Sequence, residues 1–146
     1  MGRIILLSLA AFVVVAALIV YRRTVGGEGT APTVAALRQT NATRRLVQSL
    51  PPDSTDIEYY WRWFDPYEEA SFAVSESAFL DWARSRGWRV DDIAGGPAQL
   101  AGMGSGRTMV SDGYVTGGPE EGKWWGCAVY DRKTGRAYYE RDGQGD

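Results

Sequence analysis

Four groups of residues in this chain have types and spacings that invite chemistry. The first is Gly102-Met103-Gly104-Ser105-Gly106-Arg107-Thr108, whose glycines suggest a loop around a phosphate. The spacing does not fit. A phosphate loop requires Gly, four residues and then Gly-Lys-Ser/Thr, whereas Ala101 stands at the first Gly position and Arg107 at the Lys. No helical pattern follows to offer its N-terminus to an anion. A surface loop is the expectation for this stretch.

The second group is the adjacent acids Glu68-Glu69, Asp91-Asp92 and Glu120-Glu121. Paired carboxylates hydrolyse glycosides when they face each other across a cleft, roughly 5 to 10 Å apart. Neighbours on a strand point to opposite faces, so these pairs are expected at solvated ends and turns. Calcium loops need acids at alternating positions around a glycine, and Asp131-Arg132-Lys133-Thr134-Gly135 offers one acid, so it reads as a hairpin turn. The third group is the single cysteine, Cys127. With no histidine in the chain, neither a Cys/His nucleophile nor a His metal site can be assembled, and an inert buried thiol is expected. Only Lys123 and Lys133 could serve as amine bases, and both lie near turns. No catalytic, cofactor or metal residue is assigned.

The fourth group is aromatic. Tyr60 and Phe64 fall opposite the apolar parity of the first globular strand, and Trp124, Tyr130 and Tyr138 lie in the last hairpin. Rings exposed on a sheet stack on sugars or centre a protein interface, so these five form a candidate binding surface.

The elements that must position these residues follow from the hydropathy pattern. The apolar run Ile4 to Tyr21 is interrupted only by Ser8 and flanked by Arg3, Arg22 and Arg23. As a helix it would span about 27 Å, close to the roughly 30 Å hydrocarbon core of a bilayer. A single transmembrane signal-anchor at 1–23 is therefore expected, with the lipid bilayer as a partner. The flanking charges nearly balance, and a short N-terminal anchor commonly sends the following domain outward, so the domain is placed outside the cytoplasm. Thr24 to Pro32 reads as a flexible linker, and Thr33 to Leu50 as one helix whose apolar stripe is interrupted at Gln39-Thr40-Asn41. Residues 24–50 are thus linker and juxtamembrane helix. Arg38, Arg44 and Arg45 leave two roles open for this helix, a stalk packed on its own domain or a helix on anionic headgroups.

Residues 51–143 form the globular part, with 144–146 a tail. Strands are expected at Asp56 to Phe64, Glu69 to Val74, Trp88 to Ile93, Thr108 to Thr116, Lys123 to Tyr130 and Arg136 to Arg141. One helix, Ser75 to Arg86, has Ser75 as N-cap and Gly87 just past its end. The expected class is α+β, an N-terminal transmembrane helix followed by a small antiparallel sheet carrying one helix.

From Thr24 onward lie all eighteen acids and thirteen of the sixteen basic residues, giving this part a net charge of −5. That balance excludes nucleic acid as a natural partner. The expected function is a non-enzymatic binding or structural module at the cell envelope, whose partner is an envelope protein or a glycan. Two alternatives stand beside it. A membrane-tethered hydrolase would need at least two of Asp91, Asp92, Asp112 and Asp131 to converge in a cleft with Arg107. A sugar- or peptidoglycan-binding module would need rings such as Tyr60, Phe64 and Trp124 exposed in one plane.

Overall fold

The computed structural model describes residues 13–15, 17, 21, 26–62, 67–96, 99–103, 106–120 and 124–143, with backbone alone for those between 99 and 107. Its framework is one antiparallel sheet built from β1 (Gly26–Thr33), β2 (Thr55–Arg62), β3 (Tyr67–Ala73), β4 (Arg89–Asp92), β7 (Gly113–Pro119), β8 (Trp124–Asp131) and β9 (Arg136–Gly143). These seven strands run in the order β1-β2-β3-β9-β8-β7-β4. The remaining strands, β5 (Gln99–Met103) and β6 (Gly106–Val110), pair only with each other.

Side-chain alternation sorts the sheet into two faces. Ile57, Tyr59 and Trp61 of β2, Ala70 and Phe72 of β3, Ala137 and Tyr139 of β9, and Ala128 and Tyr130 of β8 are all buried on one face. Three helices cover it: α1 (Val34–Leu37), α2 (Arg44–Ser49) and α3 (Glu76–Ser85). They contribute Val34, Leu37, Leu46, Val47, Phe79, Trp82 and Ala83 to the same core. On the opposite face the β5–β6 hairpin lies beside β3, β8 and β9, and Val110 packs with Ile93 and Val129.

The expected class is corrected in two respects. The sheet is the dominant element and is larger than expected, because Gly26–Thr33 is an edge strand and not a flexible linker. Its glycines are what the pairing needs. A Cβ on Gly29 would fall 2.7 Å from the Tyr59 hydroxyl, and one on Gly27 would fall 2.7 Å from Trp61 Nε1. Both rings lie flat across β1, so a composition typical of linkers serves as the seat for two large aromatics.

The second correction concerns the anchor. Among the described residues no helix is long and apolar enough to cross a membrane. Most of the expected transmembrane run, residues 4–21, lies outside the described residues. An apolar run shows that a segment avoids water, whereas spanning requires about 20 apolar residues in one continuous helix. The membrane, transmembrane and signal-anchor description therefore lacks support, and a single-pass location is not favoured.

Several local expectations meet their counterparts. Ser75 caps α3 by accepting from Ala78 N at 3.3 Å, and Gly87 has φ +71°. Gly87 N and Trp88 N then bond to Arg84 O and Ala83 O, which turns Trp88 back onto the helix face. Gly135 closes the β8–β9 turn at φ +66°, with Asp131 accepting from Lys133 N and Thr134 Oγ1. The helix expected over 33–50 is instead two short ones, separated where Thr40 Oγ1 donates to Leu37 O at 2.7 Å. The expected strand over 108–116 is divided between β6 and β7, and Gly113, at φ +153°, begins the second piece. The glycine-rich stretch expected as a loop supplies most of the β5–β6 hairpin.

Gly126 offers a direct check on how closely the helix layer sits. A Cβ there would lie 2.5 Å from Glu120 Oε1 and 2.7 Å from the Trp88 ring. Gly126→Ala should cost about 1–3 kcal/mol, read as a lower urea midpoint at unchanged slope. Gly96→Ala, whose new Cβ would lie 3.6 Å from Ile93 O, should stay within about 0.5 kcal/mol.

Candidate functional site

Directly paired residues form a row across the helix-covered face: Gly27, Trp61, Glu68, Arg141, Gly126 and Gly118. Two of the six are charged, and both are buried. Arg141 and Glu68 side chains are 6% and 5% exposed, and Glu120 joins them at 6%. Arg141 Nε lies 2.8 Å from Glu120 Oε2, and Arg141 Nη1 lies 3.6 Å from Glu68 Oε2. Neither contact is aligned as a hydrogen bond, so both act as ion pairs. Arg86 completes the balance from the end of α3, donating to Glu120 Oε1 and to the Ser49 carbonyl at 2.6 Å.

Rings surround these charges. Arg86 sits 5.0 Å from the Trp82 centroid and 5.1 Å from that of Trp88, and Arg141 sits 4.3 Å from Trp124. Tyr139 donates to Glu120 Oε1 at 3.0 Å, and burial beside Glu120 holds its phenol well above the usual tyrosine range. The cluster has two acids and two arginines and is neutral in sum. Glu120 already accepts from Arg86 and Tyr139 and pairs with Arg141, so it is not available as a general base. The cluster ties the sheet to α3 and to the last residue of α2.

Glu68-Glu69 departs from the expectation of solvated ends, whereas Asp91 and Asp92 are exposed at the end of β4. Glu68 and Glu69 point to opposite faces, as strand geometry requires, yet both are buried. Glu69 accepts from Tyr67 at 2.7 Å, and burial together with that bond pushes the Tyr67 phenol well up. Asp92 and Asp112 do come together, but on a guanidinium. Arg132 reaches Asp112, Asp92 and Glu76 and lies 4.7 Å from the Tyr114 centroid. Asp91 pairs with Arg89 instead, and Asp131 binds its own turn. Asp92 is 57% exposed and Asp112 37%, an ion-pair clamp on the surface with no cleft between the acids. Arg107 lies on β6.

The five aromatic candidates do not share one surface. Tyr60, paired with Glu69, and Tyr138, paired with Val129, lie half-buried on the hairpin-bearing face. Trp124 lies half-buried on the helix-bearing side beneath the guanidiniums of Arg45 and Arg141. Tyr130 is buried and stacks on Phe79 at 5.0 Å, and Phe64 lies outside the described residues. Cys127 is half-buried, and burial followed by the nearby Glu140 pushes its thiol up to about 11.

A different feature emerges from the helix layer. Arg38, Ala42, Arg44, Val47 and Gln48 line a pit of about 450 Å³ between α1 and α2. The loop that carries it is tied at several points. Thr40 Oγ1 donates to Leu37 O and accepts from Ala42 N, and Tyr59 donates to Asn41 Oδ1. Thr43 caps α2 and donates to the buried Glu68, so the pit hangs from the charge cluster itself. No family model, curated protein or solved structure matches this chain. What the pit can do must therefore be read from its own residues. Arg38 and Arg44 were grouped as basic helix residues by the sequence pattern, which carries no sign of which arginines find partners.

Two outcomes check this description. Arg141→Met leaves the buried Glu68 without its counter-charge and Glu120 with Arg86 alone, and should cost about 3–5 kcal/mol, against at most about 1 kcal/mol for Arg84→Ala at its exposed pair with Asp81. In the folded chain the Cys127 thiol keeps its proton to about pH 11, whereas its unperturbed value is 9.0. Stability should therefore fall as pH rises through this window, and Cys127→Ala should remove a share on the order of 2 kcal/mol from that fall. Urea titrations at pH 8 and pH 11 measure it.

Proposed function

We propose that this chain is a non-enzymatic binding module that takes an anionic partner on the outer surface of the α1–α2 layer. The observation that carries the reading is the state of the arginines. Arg84, Arg86, Arg89, Arg132, Arg136 and Arg141 each pair with a carboxylate. Arg45 lies over Trp124, and Arg62 over Tyr67. Among the arginines whose side chains are described, Arg38 and Arg44 are left with neither acid nor ring, and they line the same pit.

Both guanidiniums are exposed, with no acid among the described residues to compete for them, so their donors are open to an anion from elsewhere. The acidic balance of the rest of the chain gives that pair local rather than global reach, since fields fade within about 10 Å at moderate salt. The partners expected from the sequence, an envelope protein or a glycan, both offer carboxylates or other acidic groups. Catalysis is the weaker reading because Asp92 and Asp112 are held together by Arg132 and Glu120 is surrounded by donors.

Retention on an immobilised sulfated polysaccharide at low salt tests the reading. The full chain should be retained despite its net charge of −2, and the Arg38→Gln/Arg44→Gln pair should flow through. Arg84→Gln should elute as the unaltered chain does. Flow-through of the unaltered chain, or equal loss with Arg84→Gln, contradicts it.

A further inference from the structure

The pit has a chemistry more specific than positive charge. Its lining combines two guanidiniums and one carboxamide with two apolar residues, Ala42 and Val47. Val47 is buried and belongs to the core, and Ala42 packs against that core, so together they make a firm apolar base. Arg38, Arg44 and Gln48 are exposed around it. We propose that the pit binds a small organic oxyanion, a carboxylate or phosphate carried on an apolar body. The proposal rests on the anionic-partner reading and deepens it for the same surface.

A guanidinium presents a planar fork that matches carboxylate and phosphate oxygens, and two forks around one cavity can hold both sides of such a group. Gln48 adds a carboxamide that can donate to a further oxygen. The apolar base then favours a ligand whose remainder is not hydrated, since that surface is removed from water on binding. At about 450 Å³ the pit is within the range of small-molecule sites and too small for a folded partner to enter.

The backbone that carries the arginines is fixed. Arg38 is the C-cap of α1, its N–H bonded to the carbonyl of Val34, and Arg44 is the first residue of α2, directly after its cap Thr43. The loop between them is fixed by Thr40, by Asn41 to Tyr59 and by Thr43 to Glu68. Binding then orders the Arg38, Arg44 and Gln48 side chains without ordering backbone, which limits the entropy lost.

Amide NMR spectra of the full chain, titrated with phenyl phosphate, benzoate and inorganic phosphate, test the proposal. The expected result is saturable shifts at Arg38, Ala42, Arg44 and Gln48, with phenyl phosphate and benzoate binding more tightly than inorganic phosphate. Arg38→Gln and Arg44→Gln should each weaken phenyl phosphate by about tenfold. Lys133→Gln, at a distant exposed turn, should leave binding unchanged. Shifts that do not saturate, or that fall elsewhere on the protein, overturn the proposal. Equal weakening by Lys133→Gln overturns it too, since it would show non-specific charge attraction. Retention on the sulfated matrix through Arg38 and Arg44 without saturable phenyl phosphate binding sinks the small-ligand pit alone; loss of both sinks the shared reading as well.

Discussion

Buried charge is the constraint around which this domain is arranged. Arg141 stands in the middle of the sheet's helix-covered face with its side chain almost wholly removed from water. A lone guanidinium there would be very unfavourable, and so would either of the carboxylates it meets. The structure brings four charges together, Glu68 from β3, Arg141 from β9, Arg86 from the end of α3 and Glu120 from just beyond β7. Each comes from a different part of the chain, so satisfying one charge positions four elements. The glycines at 118 and 126 belong to the same arrangement, because side chains there would displace Trp88 or Glu120 from above the sheet.

That balance extends outward to the surface that matters for function. Thr43, at the start of α2, donates to Glu68, and Tyr59 reaches Asn41 from β2. The loop between α1 and α2 is thereby fixed from below by the sheet. Elsewhere, among the arginines whose side chains are described, each is matched by acids or rings, as at the Arg132 clamp on Asp92, Asp112 and Glu76. The unmatched Arg38 and Arg44 stand out against this background. A protein with fewer cations than anions places two of its cations on the lining of one pit.

Much of the local structure was legible in the sequence, and the reasons differ from element to element. The α3 helix declared itself through Ser75, its apolar stripe and Gly87, all of which act within a few residues. The β8–β9 hairpin did so through Asp131 and Gly135. Strand β1 was illegible because its glycines answer to Tyr59 and Trp61, some thirty residues away, and a linker composition looks the same. The buried acids were missed for a related reason. Glu68 follows the parity of Ala70 and Phe72, and Arg141 that of Ala137 and Tyr139, but a charge at a core parity is identified only when its opposite number is found. The candidate aromatic surface placed rings by strand parity alone, and Tyr60 and Trp124 proved to lie on opposite sides of the sheet. The pit was invisible because it depends on which arginines lack partners, a property of the whole fold.

The central claim is that Arg141 and Glu120 are coupled through the interior and that this coupling holds the helix layer on the sheet. A double-mutant cycle in urea, using Glu120→Gln, Arg141→Met and the pair together, measures that coupling directly. The account predicts an interaction energy of about 1.5 kcal/mol or more, with the double variant less destabilised than the two single losses added. An interaction below about 0.5 kcal/mol, the scatter expected of independent sites, would contradict it.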